Sequence, residues 1–485
     1  MAIPVEIRQV ERPKNTVVKN YFGKFKVVKR TSKYVNGKAI PKDLAIVGEI
    51  VDYKFVPFET PIPVGTRSKK NQEKTDIKDY GNIAIFTKNS NDILEKLLTH
   101  FDSSTAYKLY VIAILRCAYP KAVNRDLKFY YETSFMSELF KKVGLSESLL
   151  PDFFEKTGRA YSNIHNFMLD RINEFKGRVQ IIDGTLKSYN SDEVTFSQWS
   201  RKGKVKGSKD FTLLYTCVLY TKEPIYHRPY QGNMLDSTIF EDFLENVPST
   251  GEILVADKGF RTKAITELLE QNKNVKYLLP LKRNTTLIRE EKLDENLTPV
   301  KIKDKQLLGS KKQINGKFFY LFKDLEIAGK ESVGNYQKHL KRNTFNIDEF
   351  NKNNQFFGVI VFESNVDLSL EDVYTLYDQR WEIEEMFNFY KNILELSKTR
   401  VHSEMKVYTT EFINYLSLII ATKVKNNFIR LNLHQNYSFR QIIEYLRSYK
   451  VEVINNTEWF IRIIAQFSSI SKVIIGCSLF KFSFL

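Results

Sequence analysis

The order of apolar and amphipathic segments between residues 179 and 281 constrains the fold more than any other feature of the chain. Three β-type runs come first, and two helical runs then alternate with two further β-type runs. The segments are VQIIDGTL (179–186), FTLLYTCVLYT (211–221), EPIYHRPY (223–230), STIFEDFLENV (237–247), EILVADKGF (252–260), TKAITELLEQN (262–272) and VKYLLPL (275–281). Apolar runs of this length are typical of strands buried in a sheet. The order β-β-β-α-β-α-β therefore predicts an α/β fold around one central sheet.

Two of these β-type runs end in an aspartate. Asp183 is followed at once by Gly184, and Asp257 is followed two positions later by Gly259. Because α/β sheets bind ligands at the carboxyl ends of their strands, we expect both carboxylates at that edge of the sheet. Taken singly, each aspartate is explained more simply as a turn former or a helix N-cap. The two sites together favour a ligand site or a catalytic centre.

The segment YDQRWEIEEMFNFYK (377–391) predicts an amphipathic helix that carries a third acidic group. Ser369 and Asp372 have the spacing of a capping box, so we expect a helix over 370–394. At about 100° per residue, four of its polar side chains would fall within roughly 60° of one another. These side chains are Tyr377, Arg380, Glu384 and Lys391.

This combination of side chains suits a metal ion bound together with a phosphate group. The carboxylate would hold the metal, and the two cations would hold phosphate oxygens. The alternative is a surface helix on which Arg380 and Glu384 form an i, i+4 ion pair. Glu385 lies about 100° round the helix from Glu384, so we expect it to be solvated or to support the site indirectly. With this helix added, the element order resembles a ribonuclease-H-like fold, in which three carboxylates meet at one end of the sheet.

The spacing of the polar residues on this helix resembles that of a known family. It reads Y-(2)-R-(3)-E-(6)-K, the YREK signature of a large family of bacterial insertion-sequence transposases. The segments IIDGT and VADKGF look like the first and second catalytic aspartate motifs of that family. The chain resembles the insertion sequence 4 family over residues 180–285 and 355–400, and its N-terminal hairpin region is similar to the 1634 subgroup.

The resemblance implies a DDE transposase that cleaves and joins transposon ends by phosphodiester hydrolysis and strand transfer. The catalytic triad, which would also bind the metal, is Asp183, Asp257 and Glu384. The residues that would hold DNA phosphates near the cleavage point are Tyr377, Arg380 and Lys391. The cofactor would be two Mg²⁺ ions about 3.5–4 Å apart, with Mn²⁺ as a substitute. The partners would be transposon ends and target DNA, bound by a homodimer.

Two other functions stay open on the sequence alone. The chain would also fit a ribonuclease-H-fold DNA nuclease that cuts without strand transfer. The second alternative is an inactive DNA-binding protein derived from a transposase. The complete triad and the YREK spacing argue against the inactive protein, whereas they do not separate a nuclease from a transposase.

The charge of the chain favours a polyanionic partner. Its formal net charge is +17, with 74 Lys and Arg residues against 57 Asp and Glu residues. The loop SRKGKVKGSK (200–209) follows the Asp183 strand and contains no acidic residue. We expect DNA contacts there from Arg201, Lys202 and Lys204, and a solvated loop is the alternative.

The remaining composition indicates a cytoplasmic protein without structural zinc. The sequence shows no signal peptide and no apolar run of transmembrane length. Cys117, Cys217 and Cys477 lie far apart in apolar runs, so we expect buried free thiols and no disulfide framework.

The length of 485 residues predicts several domains. The expected divisions are a β-rich basic region (1–100), a helical region that is a candidate for binding DNA ends (101–175), the first part of the catalytic domain (176–285), a β-rich insertion (286–355), the second part of the catalytic domain (356–430) and a C-terminal helical region (431–485). Within the insertion, QINGKFFYLF (313–322) predicts a hairpin with Asn315 and Gly316 at its turn.

Overall fold

The structure of this chain is a computed structural model, which divides into two compact units. One unit comprises Met1–Asp76 and Val453–Glu458, and the other comprises Ile77–Glu452 and Trp459–Leu485. The residues that the structure describes are 3–21, 23–35, 38–64, 76–189, 194–199, 209–248, 253–272, 274–283, 285–302, 305–454 and 458–463.

The first unit is built on a four-stranded antiparallel sheet. A short helix precedes the strands, which pair in sequence order. These elements are α1 (Val5–Gln9), β1 (Thr16–Tyr21), β2 (Lys24–Val35), β3 (Lys38–Val51) and β4 (Lys54–Pro63). A small apolar core joins the helix to the sheet, and its buried residues are Ile7, Val18, Val27 and Ile50.

The other strands form two sheets, of which the larger has nine strands in the order β11-β12-β13-β14-β10-β9-β6-β7-β8. The smaller sheet has the order β16-β15-β5. The strands are β5 (Asp76–Asp79), β6 (Gln180–Ser188), β7 (Asp210–Val218), β8 (Pro224–Gln231), β9 (Ile253–Ala256), β10 (Lys276–Pro280), β11 (Thr298–Ile302), β12 (Lys305–Ile314), β13 (Lys317–Asp324), β14 (Val359–Ser364), β15 (Tyr449–Ile454) and β16 (Glu458–Ile463).

The remaining helices lie before, between and after these strands along the chain. They are α2 (Gly81–Lys88), α3 (Asn91–His100), α4 (Ser103–Ala118), α5 (Leu127–Thr133), α6 (Met136–Leu139), α7 (Leu150–Arg159), α8 (Tyr161–Glu174), α9 (Asp236–Asn246), α10 (Lys263–Gln271), α11 (Leu287–Glu290), α12 (Leu325–Lys341), α13 (Ile347–Asn354), α14 (Leu370–Asp378), α15 (Trp381–Asn388), α16 (Glu404–Arg430) and α17 (Phe439–Arg447). No described helix is long and apolar enough to cross a membrane.

The large sheet mixes antiparallel and parallel pairing. Strands β6, β7 and β8 form an antiparallel meander, β9 lies parallel to β6, and β10 lies parallel to β9. Strand β14 then runs antiparallel to β10, and β13, β12 and β11 continue antiparallel. The sequence therefore predicted correctly an α/β protein with one central sheet.

The core of the second unit forms where α16 packs on the large sheet. Apolar side chains lie all round this helix, which is typical of a helix enclosed by protein. Its residues are buried almost without interruption from Val407 to Val424. It contacts α4, α7 and β8. The buried thiols of Cys117 and Cys217 also lie in this core, as expected, whereas Cys477 lies outside the described residues.

The segment 286–355 differs from the β-rich insertion that the sequence predicts. Its strands β11, β12 and β13 extend the large sheet, and the expected hairpin is confirmed, with Asn315 and Gly316 both at positive φ between β12 and β13. However, α12 and α13 lie between β13 and β14. Asp324 caps α12 by accepting a hydrogen bond from the amide of Ile327, and no residue of either helix is buried.

Two other regions also differ from the expected secondary structure. In the β-rich region 1–100, α2 and α3 occupy the last part. Helix α3 forms because Ile93 and Leu97, four residues apart, present one buried apolar face. In the helical region 431–485, α17 is followed by β15 and β16, where the sequence YKVEVI (449–454) alternates in a strand pattern.

Candidate active site

Asp183 and Asp257 lie side by side on neighbouring strands. The parallel ladder between β6 and β9 ends with the pair Ile182 and Ala256. Each aspartate is the next residue along the chain: Asp183 lies within β6, and Asp257 directly follows the last residue of β9. Because neighbouring strands are about 4.8 Å apart, the two carboxylates emerge at the same point of the sheet. The predicted juxtaposition of these two residues therefore has a direct structural basis in the strand register.

The structure corrects the predicted position of Asp183 within its strand. The sequence placed Asp183 at the carboxyl end of an apolar run, but β6 continues to Ser188. It does so because β7 pairs with β6 along its whole length, up to the pair of Ser188 with Asp210. Asp183 thus marks the end of the parallel ladder and not the end of the strand.

The Asp183 carboxylate is held in a confined, negatively charged environment. Its Oδ1 accepts a hydrogen bond from the amide of Gly184 at 2.8 Å, and its Oδ2 lies 4.0 Å from Nη1 of Arg380. Burial raises the pKa of Asp183 to about 6, and the charges of Asp257 and Asp236 raise it further against the lowering effects of Gly184 and Arg380. This carboxylate would therefore be stabilised by an additional cation.

The predicted continuous helix over 370–394 is wrong, because the chain forms two helices separated by a tight turn. Ser369 does cap α14, accepting a hydrogen bond from the amide of Asp372 at 3.0 Å. At the turn, the amide of Arg380 donates to the carbonyl of Tyr377, and the amide of Ile383 donates to the carbonyl of Arg380, both at 3.1 Å. These i→i−3 bonds wind the backbone more tightly than the i→i−4 bonds of an α-helix.

The two helices nevertheless bring Tyr377 and Arg380 to the aspartates. The Arg380 guanidinium lies 5.5 Å from the centre of the Tyr377 ring, which packs edge-on against Phe362 at 4.7 Å. Burial raises the pKa of Tyr377; Arg380 opposes this shift, and the charge of Asp257 adds to it. Arg380 Nε is buried and has no hydrogen-bond partner among the described residues. Arg380 approaches the Asp183 carboxylate through Nη1 and not through this buried atom.

Glu384 lies on α15 one turn after Arg380, on the same flank of that helix. The opposite flank is occupied by Glu382 and Glu385, which bind the turn between β7 and β8. There, Glu382 accepts from the amide of Tyr220 at 2.9 Å, and Glu385 pairs with Lys222. Glu385 is thus committed to a surface ion pair, whereas Glu384 is half-buried on the flank that carries Arg380.

Helix α15 covers the face of the sheet that carries Asp183. Asp183 pairs directly across the ladder with Tyr215 of β7, so the two side chains lie on the same face. The Tyr215 ring contacts Phe387 of α15, with ring centres 5.9 Å apart. Since Phe387 follows Glu384 by three residues, the two lie on neighbouring parts of the helix surface.

Lys391 reaches β6 from a single turn of π-helix. This π-turn (Phe389–Ile393) directly follows α15, and such turns are frequent at functional sites. Lys391 Nζ donates to Thr185 Oγ1 at 2.6 Å and to the carbonyl of Leu186 at 2.7 Å. The lysine is therefore fixed two residues beyond Asp183 on the same strand.

The comparison with known families bears on this arrangement directly. A model of the transposase DDE domain family matches residues 174–419, which is half of the chain and includes both aspartates, Glu384 and the π-turn. The chain belongs to this family. No curated protein matches the chain. Among solved structures, a cryo-EM structure of a piggyBac transposase synaptic complex with hairpin DNA is similar at 11% sequence identity and a TM-score of 0.42, over 76% of each chain.

The donor chemistry of this transposase site fits a hard divalent cation. Asp183 and Asp257 supply carboxylate oxygens, which such ions prefer, and their mutual repulsion favours a bound cation. Within the described part of the chain, no group of three or more His, Cys, Asp or Glu side chains is close enough together to hold a metal ion. Glu384 stands on a separate helix from the strands of the two aspartates.

Sequence reasoning missed Asp236, the first residue of α9. A Cβ atom on Gly259 would lie 3.0 Å from Asp236 Oδ2. Glycine at this position, two residues after Asp257, therefore leaves room for the Asp236 carboxylate. In the sequence, Asp236 is an ordinary acidic residue in the first turn of a helix. Only the fold brings it near Asp183 and Asp257.

Sequence reasoning also missed a buried ion pair behind the site. Lys187 Nζ lies 2.8 and 3.0 Å from the two carboxylate oxygens of Glu411 and donates to the Tyr390 hydroxyl at 2.8 Å. Glu411 also accepts from Thr399 at 2.6 Å. Burial lowers the pKa of Lys187 to about 8, against the opposing effect of Glu411. The pair joins β6 to α16 and to the π-turn.

Three predicted DNA contacts cannot be placed. Arg201, Lys202 and Lys204 lie outside the described residues, which stop at 199 and resume at 209. Of the residues predicted to hold DNA phosphates, the structure describes Tyr377, Arg380 and Lys391.

Proposed function

We propose that this transposase cleaves and joins DNA ends with Asp183, Asp257 and Glu384 as its catalytic carboxylates. The observation that carries the proposal is the adjacency of Asp183 and Asp257 at the end of the β6–β9 ladder, with Arg380 4.0 Å from Asp183. Both aspartates and Glu384 lie within the part of the chain that matches the transposase DDE domain.

The three carboxylates would hold two Mg²⁺ ions, or Mn²⁺ in their place. Such ions, when bound, activate an attacking water or 3′-hydroxyl and stabilise the leaving oxygen. Asp183 and Asp257 are positioned by the strand register, and Glu384 is presented from α15 on the flank next to Arg380. Ionised carboxylates are needed for this role, and the negative environment of Asp183 makes the cation favourable.

The cations around the carboxylates would hold the DNA. Arg380, whose Nη1 lies next to Asp183, and Lys391, fixed on β6, would contact backbone phosphates, and Tyr377 would orient the Arg380 guanidinium. Arg201, Lys202 and Lys204 would add contacts from the loop after β6. The net charge of +17 is consistent with transposon ends and target DNA as partners, held by a homodimer in the cytoplasm.

We assign the catalytic fold to the ribonuclease-H-like class. The order β8-β7-β6-β9-β10, with an antiparallel meander followed by two parallel strands, supports this assignment. The catalytic domain would comprise 176–285 and 356–430, interrupted by the insertion 286–355 and flanked by the regions 1–100, 101–175 and 431–485. Within the transposases, the spacing of Tyr377, Arg380, Glu384 and Lys391 supports the insertion sequence 4 family with its YREK signature. The likeness of the N-terminal hairpin region supports the 1634 subgroup.

The experiment that tests this function is product analysis on a donor plasmid. The plasmid carries the DNA that flanks the gene and is incubated with the protein, Mg²⁺ and a target plasmid. Excision followed by joined donor–target products supports a transposase. Cleavage without joined products would indicate the nuclease alternative, and DNA binding without cleavage would indicate the inactive DNA-binding protein.

A further inference from the structure

A basic cavity opens beside the active-site strand β6. Its volume is about 740 Å³, within the usual range for ligand sites. It is bounded by Arg116 of α4, by the loop 120–125, by the segment 391–400 and by Arg440 of α17. The cationic residues of its lining are Arg116, Lys121, Arg125, Lys391, Lys398, Arg400 and Arg440. Because Lys391 also binds β6, the basic cavity begins next to the catalytic carboxylates.

The positive charge of the basic cavity is compensated only in part: Arg125 pairs with Asp126 at 3.5 Å. Glu395 is the one acid among the described residues of its lining, and it already pairs with Arg440. Within the described ranges, no carboxylate pairs with Lys121, Lys398 or Arg400. A concave surface with charge of one sign concentrates its field and attracts ions of the opposite sign. This charge favours an anionic ligand.

Two cations in the walls of the basic cavity, the buried Arg116 and the exposed Arg440, are held by hydrogen bonds to neighbouring residues. Arg116 is buried and donates to the side-chain oxygen of Asn124 at 3.1 Å and to that of Asn414. Arg440 donates to the backbone carbonyl of Asn392 at 2.6 Å. These bonds hold two guanidinium groups in place, so the cavity is formed before a ligand arrives.

The lining indicates which part of a nucleic acid would be bound. No aromatic side chain is among the described residues of the lining, so bases have no ring to stack on. A second cavity of about 210 Å³ shares Asn124, Arg125 and Arg400 with the basic cavity, and it adds the cation Lys406, the acid Glu147 and the aromatic ring of Phe154. The cations thus continue as a track, which suits an extended strand better than a single small anion.

We propose that the basic cavity binds the backbone phosphates of the DNA strand that passes from the active site beyond Lys391. This inference rests on the proposed function and adds a binding site on α4, the segment 391–400 and α17. The contacts would be independent of base sequence, because they involve phosphates alone. They would hold the DNA on the far side of Lys391 from the catalytic aspartates.

The test uses the full-length protein with Lys398 and Arg400 both changed to Gln. Both side chains are exposed and have no carboxylate partner, so the fold should be unaffected. The control variant carries Lys330→Gln and Lys338→Gln on α12, outside the basic cavity. The probe is a fluorescein-labelled duplex with a single-stranded extension, titrated over a range of KCl concentrations. The cavity variant should bind more weakly, with a log–log salt slope smaller by about 0.7–0.9 for each lost contact.

A second arm locates the contacted phosphates. Single neutral methylphosphonate linkages are placed along each strand of the probe. At contacted positions, the neutral linkage should weaken binding to the wild-type protein and have a smaller effect on the Lys398→Gln, Arg400→Gln protein. The control protein should respond like the wild-type protein.

The outcomes separate this inference from the proposed function. If the wild-type protein cuts DNA and the cavity variant keeps the affinity and salt slope of the control, the inference is wrong and the proposed function stands. If the wild-type protein binds DNA without cutting it and the cavity variant has a smaller log–log salt slope than the control, the proposal that the basic cavity binds phosphates stands. The catalytic proposal is then wrong. Absence of DNA binding by the wild-type protein would overturn both.

Discussion

Arg380 of the turn between α14 and α15 faces Asp183 of β6, with 4.0 Å between Nη1 and Oδ2. This contact couples a sheet carboxylate to the helices that carry Tyr377 and Glu384. A guanidinium in this position can donate hydrogen bonds to a carboxylate that holds no metal ion, and also to a phosphate placed next to it. Under the proposed function, this one segment would supply both a catalytic acid and a phosphate-binding cation.

We predict that Glu384 and Glu385 differ sharply in their importance. Glu384→Gln should abolish cleavage of donor DNA, because Glu384 lies on the flank of Arg380. Glu385→Gln should keep most of the activity, since Glu385 pairs with Lys222 on the other flank. The measurement is cleavage rate at saturating Mg²⁺, with thermal unfolding as the control for folding. Equal losses in both variants would contradict the placement of Glu384.

We predict that Arg380 and Lys391 contribute to DNA affinity without reading sequence. Arg380→Ala and Lys391→Ala should each weaken binding to the element's ends and to unrelated DNA by similar factors. Each should also lower the log–log salt slope by about one. Affinity is measured against salt concentration on both DNAs. A variant that lost discrimination between the DNAs at an unchanged slope would instead be reading bases.

We predict that the buried pair of Lys187 and Glu411 is required for stability. Lys187→Met should lower the free energy of unfolding by about 3–5 kcal/mol, because it leaves the Glu411 carboxylate buried without its cation. Adding Glu411→Leu should recover much of that loss. Urea denaturation of both single variants and the double variant gives the coupling energy. Additive losses would show that the two groups do not stabilise each other.

We predict that His227 makes the protein sensitive to acid. Burial lowers the pKa of His227 to about 3, and neither ring nitrogen has a hydrogen-bond partner within the described ranges. The folded protein therefore binds fewer protons than the unfolded chain below pH 6.5, and stability falls as the pH drops from there towards about 3. The slope from this one group is about 1.4 kcal/mol per pH unit.

The matched variant for this prediction is His227→Phe, which keeps an aromatic ring against Tyr415. Its free energy of unfolding should depend less on pH between 6.5 and 4 than that of the wild-type protein. The comparison uses urea denaturation at a series of pH values. A difference between the two proteins that stays constant with pH would mean that His227 is not the group responsible.

Local sequence patterns predicted those parts of the fold that depend on neighbouring residues. The Asn315-Gly316 hairpin and the strands on either side of Asp257 follow from turn chemistry and apolar runs. The continuation of β6 beyond Asp183 depends on pairing with β7, which leaves no local signal. No Gly or Pro marks the turn at Arg380 in the sequence.

The parts of the site that the sequence did not predict depend on contacts between distant residues. Lys187 and Glu411 are 224 positions apart, and each alone is a common surface residue type. Asp236 reaches the two aspartates only because α9 begins beside Gly259. A single sequence contains no information on such pairings, whereas the spacing of Tyr377, Arg380, Glu384 and Lys391 is visible along the chain.

The central claim is that Asp183 and Asp257 are catalytic carboxylates that act with a divalent cation. It is tested most directly by donor-plasmid cleavage with Asp183→Asn and Asp257→Asn, each measured with Mg²⁺, with Mn²⁺ and without metal. Asp170→Asn on α8 serves as the control. We predict metal-dependent cleavage by the wild-type and control proteins, and none by either active-site variant, although both should still bind DNA. Cleavage by Asp183→Asn or Asp257→Asn at the wild-type rate in Mg²⁺ would contradict the claim.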